Sequence, residues 1–245
     1  MDDDGIFDAR IAPTYDEDSA AMFAPDVLGP AVELLADLAA GRRALEFAVG
    51  TGRVACALSD RGVEVAGIEL SRAMVREMMA KPGSERVAVT IGNMAATRVD
   101  GTFGLVYLVY NTISNLLTQD EQVACFCNAA AHLEPGGWFL IEVEVPALRR
   151  LPIGETLVAY DASATHIGVD EYDVVQQLLT SIHSWSSPGR TGFFRSPHRY
   201  AWPSEYDLMA RIAGLTLRHR WSDWHRAPFT ADSTSHISVW QRDAD

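Results

Sequence analysis

The segment ALEFAVGTGRV at residues 44–54 constrains the fold of this 245-residue chain more than any other part of it. An apolar run enters the segment, Gly50 and Gly52 turn the chain, and a helical pattern follows. A second apolar run at 63–70 carries the carboxylate of Glu69 near its end. These features predict a strand, a glycine turn, a helix and a second strand with an acid at its tip. A Rossmann-like sheet holds adenosine-containing cofactors with this set of elements.

Strands and helices alternate along the sequence as far as residue 146. The pattern predicts strands at 44–49, 63–69, 87–92, 103–110 and 138–145, and helices at 51–60, 72–80 and 120–132. Ser71 is a suitable N-cap for the second of these helices. The run FGLVYLVY at 103–110 is apolar throughout, which is typical of a central strand covered on both faces. The alternation indicates a parallel sheet with helices on both sides.

The two ends of the chain differ from this pattern. Residues 1–12 are acidic and are expected to be frayed. Pro25 and Pro30 are expected to interrupt the helical segment that precedes the first strand. After residue 146, β-branched and aromatic residues at 172–185 and 191–202 flank a turn at 186–190, which predicts antiparallel strands.

A closing unit follows these antiparallel strands. It consists of a helix at 204–213, with Ser204 as its N-cap, and two strands at 215–221 and 235–241. The predicted fold is α/β: a Rossmann-like, seven-stranded, mostly parallel sheet with helices on both faces, and an antiparallel β cap inserted after the fifth strand. We expect a single domain over 1–245. Its parts are an N-terminal helical segment (1–40), a cofactor-binding half (41–146), a β-rich cap (147–202) and a closing helix and strands (203–245).

The composition excludes several classes of function. The formal net charge of −13 disfavours a surface for nucleic acid or anionic membrane, because either needs clustered Lys and Arg. No apolar run is long enough to cross a membrane, and the acidic start is the wrong charge for a secretory signal. Cys125 and Cys127 diverge on a helix, so no metal site is expected. We therefore expect a cytoplasmic protein whose partner is a small molecule rather than nucleic acid or a membrane. Edge strands of the cap could pair two copies of the chain into a homodimer.

Four stretches together resemble a known family. ALEFAVGTGRVA and VEVAGIELSRAMV are similar to the first two motifs of the class I S-adenosylmethionine-dependent methyltransferases. IGNMAATRVDGTFGLVYLVYNTISNL and LEPGGWFLIEVEVP are similar to the adenine loop with the fourth strand, and to the turn into the fifth strand. TQDEQVACF and RYAWPSE resemble a group of actinobacterial small-molecule methyltransferases. The resemblance implies that S-adenosyl-L-methionine is the cofactor and that the activity belongs to specialised metabolism.

Two positions depart from the pattern of that family. Ala48 replaces the first glycine of the first motif, and Asn93 replaces the acid of the adenine loop. The side-chain carbonyl of an Asn can still accept a hydrogen bond from the adenine amino group.

A nicotinamide cofactor is disfavoured, because the third glycine that its pyrophosphate requires is absent and Ala55 stands at that position.

Family roles carried over residue by residue give a cofactor site. Glu46 would face the amino-acid end of the cofactor, and Glu69 would hold the ribose. Tyr15 would lie over the cofactor carboxylate or anchor the N-terminal helix. The complete cofactor-binding set is Tyr15, Glu46, Ala48, Gly50, Thr51, Gly52, Arg53, Glu69, Leu70, Met74, Asn93, Met94, Tyr110 and Asn111.

Methyl transfer from a sulfonium needs alignment of the nucleophile and at most a base. His225 is the leading candidate for that base, with Glu142 and Glu144 as further candidates. Asn115, His166, Trp202 and Trp224 are predicted to bind the substrate, and His183 and His198 lie in the same part of the chain. The acceptor is a nitrogen, an oxygen or an electron-rich ring carbon of a small molecule. The alternatives are a protein that binds the cofactor without catalysis, and a protein or nucleic-acid methyltransferase.

Overall fold

The computed structural model describes residues 4–187 and 189–244. The α-helices are α1 (Ala12–Asp18), α2 (Pro25–Ala39), α3 (Arg53–Asp60), α4 (Arg72–Met79), α5 (Gln119–His132) and α6 (Pro203–Ile212). The strands are β1 (Ala44–Phe47), β2 (Val65–Glu69), β3 (Ala88–Ile91), β4 (Phe103–Leu108), β5 (Leu133–Glu144), β6 (Leu157–Ala162), β7 (His166–Asp173), β8 (Leu178–Ser187), β9 (Arg190–Arg199), β10 (Leu215–Trp221) and β11 (Ser235–Arg242).

Within the described residues, seven strands form one sheet in the order β10-β11-β5-β4-β1-β2-β3. The pairs among β1 to β5 are parallel, whereas β11 pairs antiparallel with both β5 and β10. A second sheet has the antiparallel order β6-β7-β8-β9 and is inserted between β5 and α6. This confirms the predicted fold class, including the cap that follows the fifth strand.

The core lies on both faces of the large sheet. Leu105 and Tyr107 of β4 pack with α2 and α3, whereas Val106 and Leu108 pack with α5 and α6. All four side chains are at most 1% exposed, because β4 lies at the centre of the sheet. Burial on both faces explains the continuous apolar run of β4.

The cap sheet turns one face toward the large sheet. Its strands pair so that alternate residues share that face, for example Asp170 opposite Ser181 and Tyr172 opposite Leu179. The region 172–185, predicted as one stretch of strand, is two strands joined by a turn at 174–177. Gln177 has a φ of 55°, so this turn uses a left-handed residue without glycine or proline to mark it.

Several local predictions were wrong at helix boundaries. Pro25 begins α2 rather than interrupting it, and Pro30 lies inside the helix, near its first turn. Ser204 does not cap α6, which begins at Pro203 with no side-chain cap. The predicted cap of α4 is confirmed, because the Ser71 hydroxyl accepts the backbone N–H of Met74.

Residues 4–12 are packed against α4, although they were expected to be frayed. The Ser71 hydroxyl donates to the carbonyl of Phe7 at 2.5 Å, and Asp4 accepts the backbone N–H of Arg72. The ring of Phe7 packs edge-on against Tyr15 with 5.7 Å between centroids. These contacts hold the N-terminal segment beside the carboxyl end of β2.

Candidate functional site

The glycine turn after β1 is built from left-handed backbone. Ala48, Gly50 and Gly52 have φ values of 55°, 58° and 79°. A Cβ at Gly52 would lie 2.8 Å from the side chain of Met78, so this position excludes any larger residue. Ala48 adopts the backbone conformation that favours glycine, at a cost of about 1–2 kcal/mol. The turn exposes backbone groups to the cavity at the carboxyl end of the sheet.

Glu69 ends β2 and faces the glycine turn. Its two carboxylate oxygens accept the backbone N–H groups of Gly50 and Ser71, each at 2.8 Å. The residue is 6% exposed, and burial raises the pKa of Glu69. Each oxygen retains a lone pair, so the carboxylate can accept two further hydroxyl donors. These are the hydrogen-bond acceptors that the two hydroxyls of a ribose require at this position.

Glu46 lies below the turn and does not line the cavity. It is 3% exposed and accepts the Tyr107 hydroxyl at 3.0 Å. Burial raises the pKa of Glu46 to about 8.

The end of the glycine turn also lies outside the cavity lining, at Thr51, Gly52 and Arg53. The Thr51 hydroxyl donates to Asp16 of α1 at 2.5 Å, so this part of the turn holds the N-terminal helix in place.

The remaining residues of the predicted cofactor site do line the cavity. Leu70 lines the cavity and is 42% exposed, so its apolar side chain is free to pack against a flat base. Asn93 uses its side-chain carbonyl to accept the backbone N–H of Ala95 at 2.8 Å. The Asn93 side chain therefore stabilises the turn at residues 93–95 and also lines the cavity. The lining residues from the predicted set are Tyr15, Ala48, Gly50, Glu69, Leu70, Met74, Asn93, Met94, Tyr110 and Asn111.

The tip of β4 also has left-handed backbone. Tyr110 and Asn111 have φ values of 58° and 56°, which is rare for residues with side chains. Glu142 holds this tip, because one oxygen accepts the Tyr110 N–H at 2.9 Å and the other accepts the indole N–H of Trp224 at 2.8 Å. Such strain is retained only where surrounding contacts enforce it, and it concentrates at functional sites.

One cavity of about 1820 Å³ joins this region to the inner face of the cap. Typical small-molecule pockets are about 300–1,000 Å³, so this cavity has room for a cofactor and an acceptor together. Asn115 and Trp202 line it, as predicted from the sequence. The cap contributes a set of polar and aromatic side chains: Tyr160, Asp170, Tyr172, Ser181, His183, Phe194, Ser196, His198 and Tyr200.

Most of these cap residues were not selected from the sequence. The signal that marks them is the two-residue alternation of strands, which places Asp170 and Tyr172 on one face of β7, and Ser181 and His183 on one face of β8. Burial lowers the pKa of His198 to about 4, with a further contribution from His183.

Three of the predicted catalytic and substrate-binding residues lie outside the cavity lining. His225 is exposed in the loop between β10 and β11, so it is not placed to act as a base. Trp224 is occupied by its hydrogen bond to Glu142. His166 lies beside His183 on the same face of the cap sheet, with its Nε2 3.1 Å from His183 Nδ1. Of the predicted bases, Glu142 and Glu144 line the cavity.

Comparison with known proteins decides the family. Residues 44–137 match a family model described as a methyltransferase domain. The solved structure of the CcbJ methyltransferase from Streptomyces caelestis is 38% identical, with a TM-score of 0.84 and 96% of each chain covered. This chain belongs to the class I S-adenosylmethionine-dependent methyltransferases. The predicted enzyme class and the predicted cofactor are thereby confirmed.

Two further proteins are similar to this methyltransferase over nearly its full length. The cypemycin N-terminal methyltransferase of a Streptomyces species is 27% identical over 258 residues, covering 99% of this chain and all of the relative. The amino pentose methyltransferase CalS10 from Micromonospora echinaspora, solved with S-adenosylmethionine bound, shares the fold at a TM-score of 0.72. It is 18% identical, with 92% of this chain and 96% of that chain covered.

The residues of this methyltransferase fit the cofactor. The Glu69 carboxylate suits the ribose hydroxyls, the Leu70 side chain suits the adenine face, and the turn at Gly50 leaves space for the methionine backbone. Among the described residues, no group of three His, Cys, Asp or Glu side chains is arranged to hold a metal ion. The described helices include none that is long and apolar enough to span a membrane.

Proposed function

We propose that this methyltransferase transfers the methyl group of S-adenosylmethionine to an amine nitrogen of a small molecule in specialised metabolism. The observation that carries this proposal is a group of carboxylates on the acceptor side of the cavity: Glu142, Glu144 and Asp170. Burial raises the pKa of Glu144, and the neighbouring charges of Asp170 and Glu142 raise it further. Burial also raises the pKa of Asp170, and this effect exceeds the opposing effects of the Ser181 hydrogen bond and the Arg150 charge.

A cation bound between these carboxylates would relieve both effects. It would offset the loss of hydration of Glu144 and Asp170, and it would reduce their mutual repulsion. A neutral hydroxyl or ring carbon would gain no comparable stabilisation. An amine is cationic when it enters the cavity, so the charge of the cavity wall favours nitrogen among the three acceptor atoms expected from the sequence.

The tip of β4 is expected to align the acceptor with the methyl group. Tyr110 and Asn111 lie between the cofactor side and the acceptor side of the same cavity. Glu142 fixes the backbone of Tyr110 and is already bonded to Trp224, so we assign it a positioning role rather than that of a base. Alignment at near-attack distance supplies most of the acceleration that a sulfonium methyl donor requires.

Comparison of matched amines and alcohols tests the choice of nitrogen. The pairs are glucosamine with glucose, cyclohexylamine with cyclohexanol, and a short peptide with its N-acetylated form. We expect the amines to yield S-adenosylhomocysteine and a singly methylated product in mass spectra, and the partners without an amine to yield neither. Methylation of the alcohols in preference to the amines would refute the proposal. Cofactor binding by calorimetry with no turnover of any member would favour the non-catalytic alternative.

Variants of the cavity wall test the role of the carboxylates. Glu144→Gln and Asp170→Asn keep the shape of each side chain and remove its charge. We expect each to raise KM for the amine by about 10-fold, the equivalent of roughly 1.4 kcal/mol, with little change in the cofactor Kd. Glu155→Gln, in an exposed position before β6, is the matched control and should leave KM unchanged. An unchanged KM in both cavity variants would show that the acceptor is not recognised by its charge.

A further inference from the structure

A chain of hydrogen bonds runs along one face of the cap sheet from the cavity to solvent. The Tyr160 hydroxyl lies 3.0 and 3.1 Å from the two ring nitrogens of His183, and both residues line the cavity. His183 Nδ1 lies 3.1 Å from His166 Nε2. His166 Nδ1 lies 2.5 Å from the carboxylate of Asp161. The Asp161 side chain is 40% exposed, so the chain ends in solvent.

One arrangement of protons links the four residues in sequence. The Asp161 carboxylate accepts the Nδ1–H of His166, which leaves His166 Nε2 free to accept the Nδ1–H of His183. His183 Nε2 then accepts the hydroxyl of Tyr160. Every donor therefore points from the cavity toward the surface, which is the order that successive proton transfers require.

The strand register brings these four residues together. Gly168 of β7 pairs opposite His183 of β8, and His166 lies two residues away on the same face. A Cβ at Gly168 would lie 2.3 Å from the ring of Tyr160. The glycine therefore lets Tyr160 lie across β7 from β6 and reach the imidazole of His183.

We propose that Tyr160, His183, His166 and Asp161 carry the proton lost by the acceptor nitrogen from the cavity to solvent, an inference that rests on the proposed function. One N–H bond of the acceptor ammonium breaks, its proton enters the chain at Tyr160 and His183, and one proton leaves to water beside Asp161. The freed nitrogen lone pair forms the new N–CH₃ bond while the methyl–sulfur bond breaks and leaves its electron pair on sulfur. Tyr160 and His183 act at the cavity, and His166 and Asp161 act through them.

The electrostatic surroundings suit His183 to this role. Burial lowers the pKa of His183 below its usual value, so the imidazole is neutral at pH 7 and free to accept a proton. The hydrogen bond from His166 lowers the pKa of Asp161, which keeps the exposed end of the chain anionic. The titratable groups next to His183 are Tyr160 from β6, His166 from β7 and His198 from β9. Beyond Tyr160 lie the carboxylates of Asp161, Asp170 and Glu144, and Arg150 lies near Asp170.

His166→Gln tests the chain without altering the cavity lining, because His166 is not one of the residues that line the cavity. The reaction is followed with S-adenosylmethionine and the amine from the panel above that is turned over fastest. We expect kcat at pH 7 to fall by about 10-fold or more, with KM and the cofactor Kd unchanged. The loss should shrink as the pH approaches the pKa of the amine in solution, where the acceptor no longer needs to lose a proton. Tyr160→Phe should show the same pH dependence, whereas His219→Gln, on an exposed residue of β10, should match the wild type.

An equal loss of kcat at every pH, or no loss, would overturn the proposal, because a merely structural role does not change the shape of the pH profile. A second measurement needs no acceptor. Nitrogen-15 spectra of the protein with S-adenosylhomocysteine should show His166 and His183 both protonated on Nδ1, and a proton on Nε2 of either ring would overturn the chain. If none of the amines is turned over, the proposed function fails on its own, and the tautomers still decide whether the chain exists.

Discussion

Replacement of Glu69 by Gln tests the cofactor site directly. Each carboxylate oxygen of Glu69 already accepts one backbone N–H, from Gly50 or Ser71, and retains a lone pair for one ribose hydroxyl. In the glutamine, one oxygen becomes an NH₂ group that accepts neither a backbone N–H nor a hydroxyl. The variant therefore loses one hydrogen bond to a charged acceptor in the complex, a contribution of about 1.5–3 kcal/mol.

This free energy corresponds to a rise in Kd of about 10- to 150-fold for both S-adenosylmethionine and S-adenosylhomocysteine, measured by isothermal titration calorimetry. Glu64→Gln is the matched control, because Glu64 immediately precedes β2 and its side chain is 69% exposed beside Arg43. Thermal unfolding without ligand separates the lost backbone bond from the lost ribose bond. A Kd within twofold of the wild type in a folded Glu69→Gln variant would refute the assignment of Glu69 to the ribose.

Three further predictions concern the turn, the buried acid and the cap. Ala48→Gly should raise the free energy of unfolding, measured in urea, by about 0.5 kcal/mol. Relief of the left-handed backbone is worth about 1–2 kcal/mol, and the added entropy of the unfolded chain costs about 0.4–1 kcal/mol. A clear loss of stability would contradict this prediction. The pKa of Glu46 is raised to about 8, so the folded state holds the extra proton and stability should fall as the pH rises from about 4.5 to about 8. Urea titrations of Glu46→Gln should lack that fall, and an unchanged slope would show that other groups cause it. Gly168→Ala should displace Tyr160 and reduce kcat as Tyr160→Phe does. Gly29→Ala is the control and should leave kcat unchanged, because a Cβ at Gly29 would meet open space. Equal activity in the two variants would refute the packing argument.

The cofactor half of the site was largely predictable because its signals are local. The strand, turn, helix and second strand between residues 44 and 69 follow directly from apolar runs and glycines that lie close together in the chain. Neighbouring parallel strands end at the same edge of a sheet, so Glu69 had to meet the turn at Gly50. The burial of Glu46 away from the cavity was not predictable, because its hydrogen bond with Tyr107 depends on how β1 and β4 pair.

The acceptor half was less predictable, because its contacts join distant parts of the chain. Glu142 and Trp224 are 82 residues apart, and only the pairing of β5 with β11 brings the loop after β10 to the tip of β4. His225 has the chemistry of a base, but it lies in the same loop with its side chain exposed. The sequence does not indicate which of the adjacent residues Trp224 and His225 points its side chain toward Glu142.

The sequence by itself determined the class of fold, the cofactor and the carboxylate that meets the glycine turn, because each depends on a short run of residues with a strong backbone preference. The tertiary structure alone decided which cap residues line the cavity. Tyr160, His183 and Asp170 face one cavity because antiparallel pairing in the cap sets their register, and a shift of one residue would turn each side chain to the other face. The hydrogen-bonded chain from Tyr160 to Asp161 exists for the same reason.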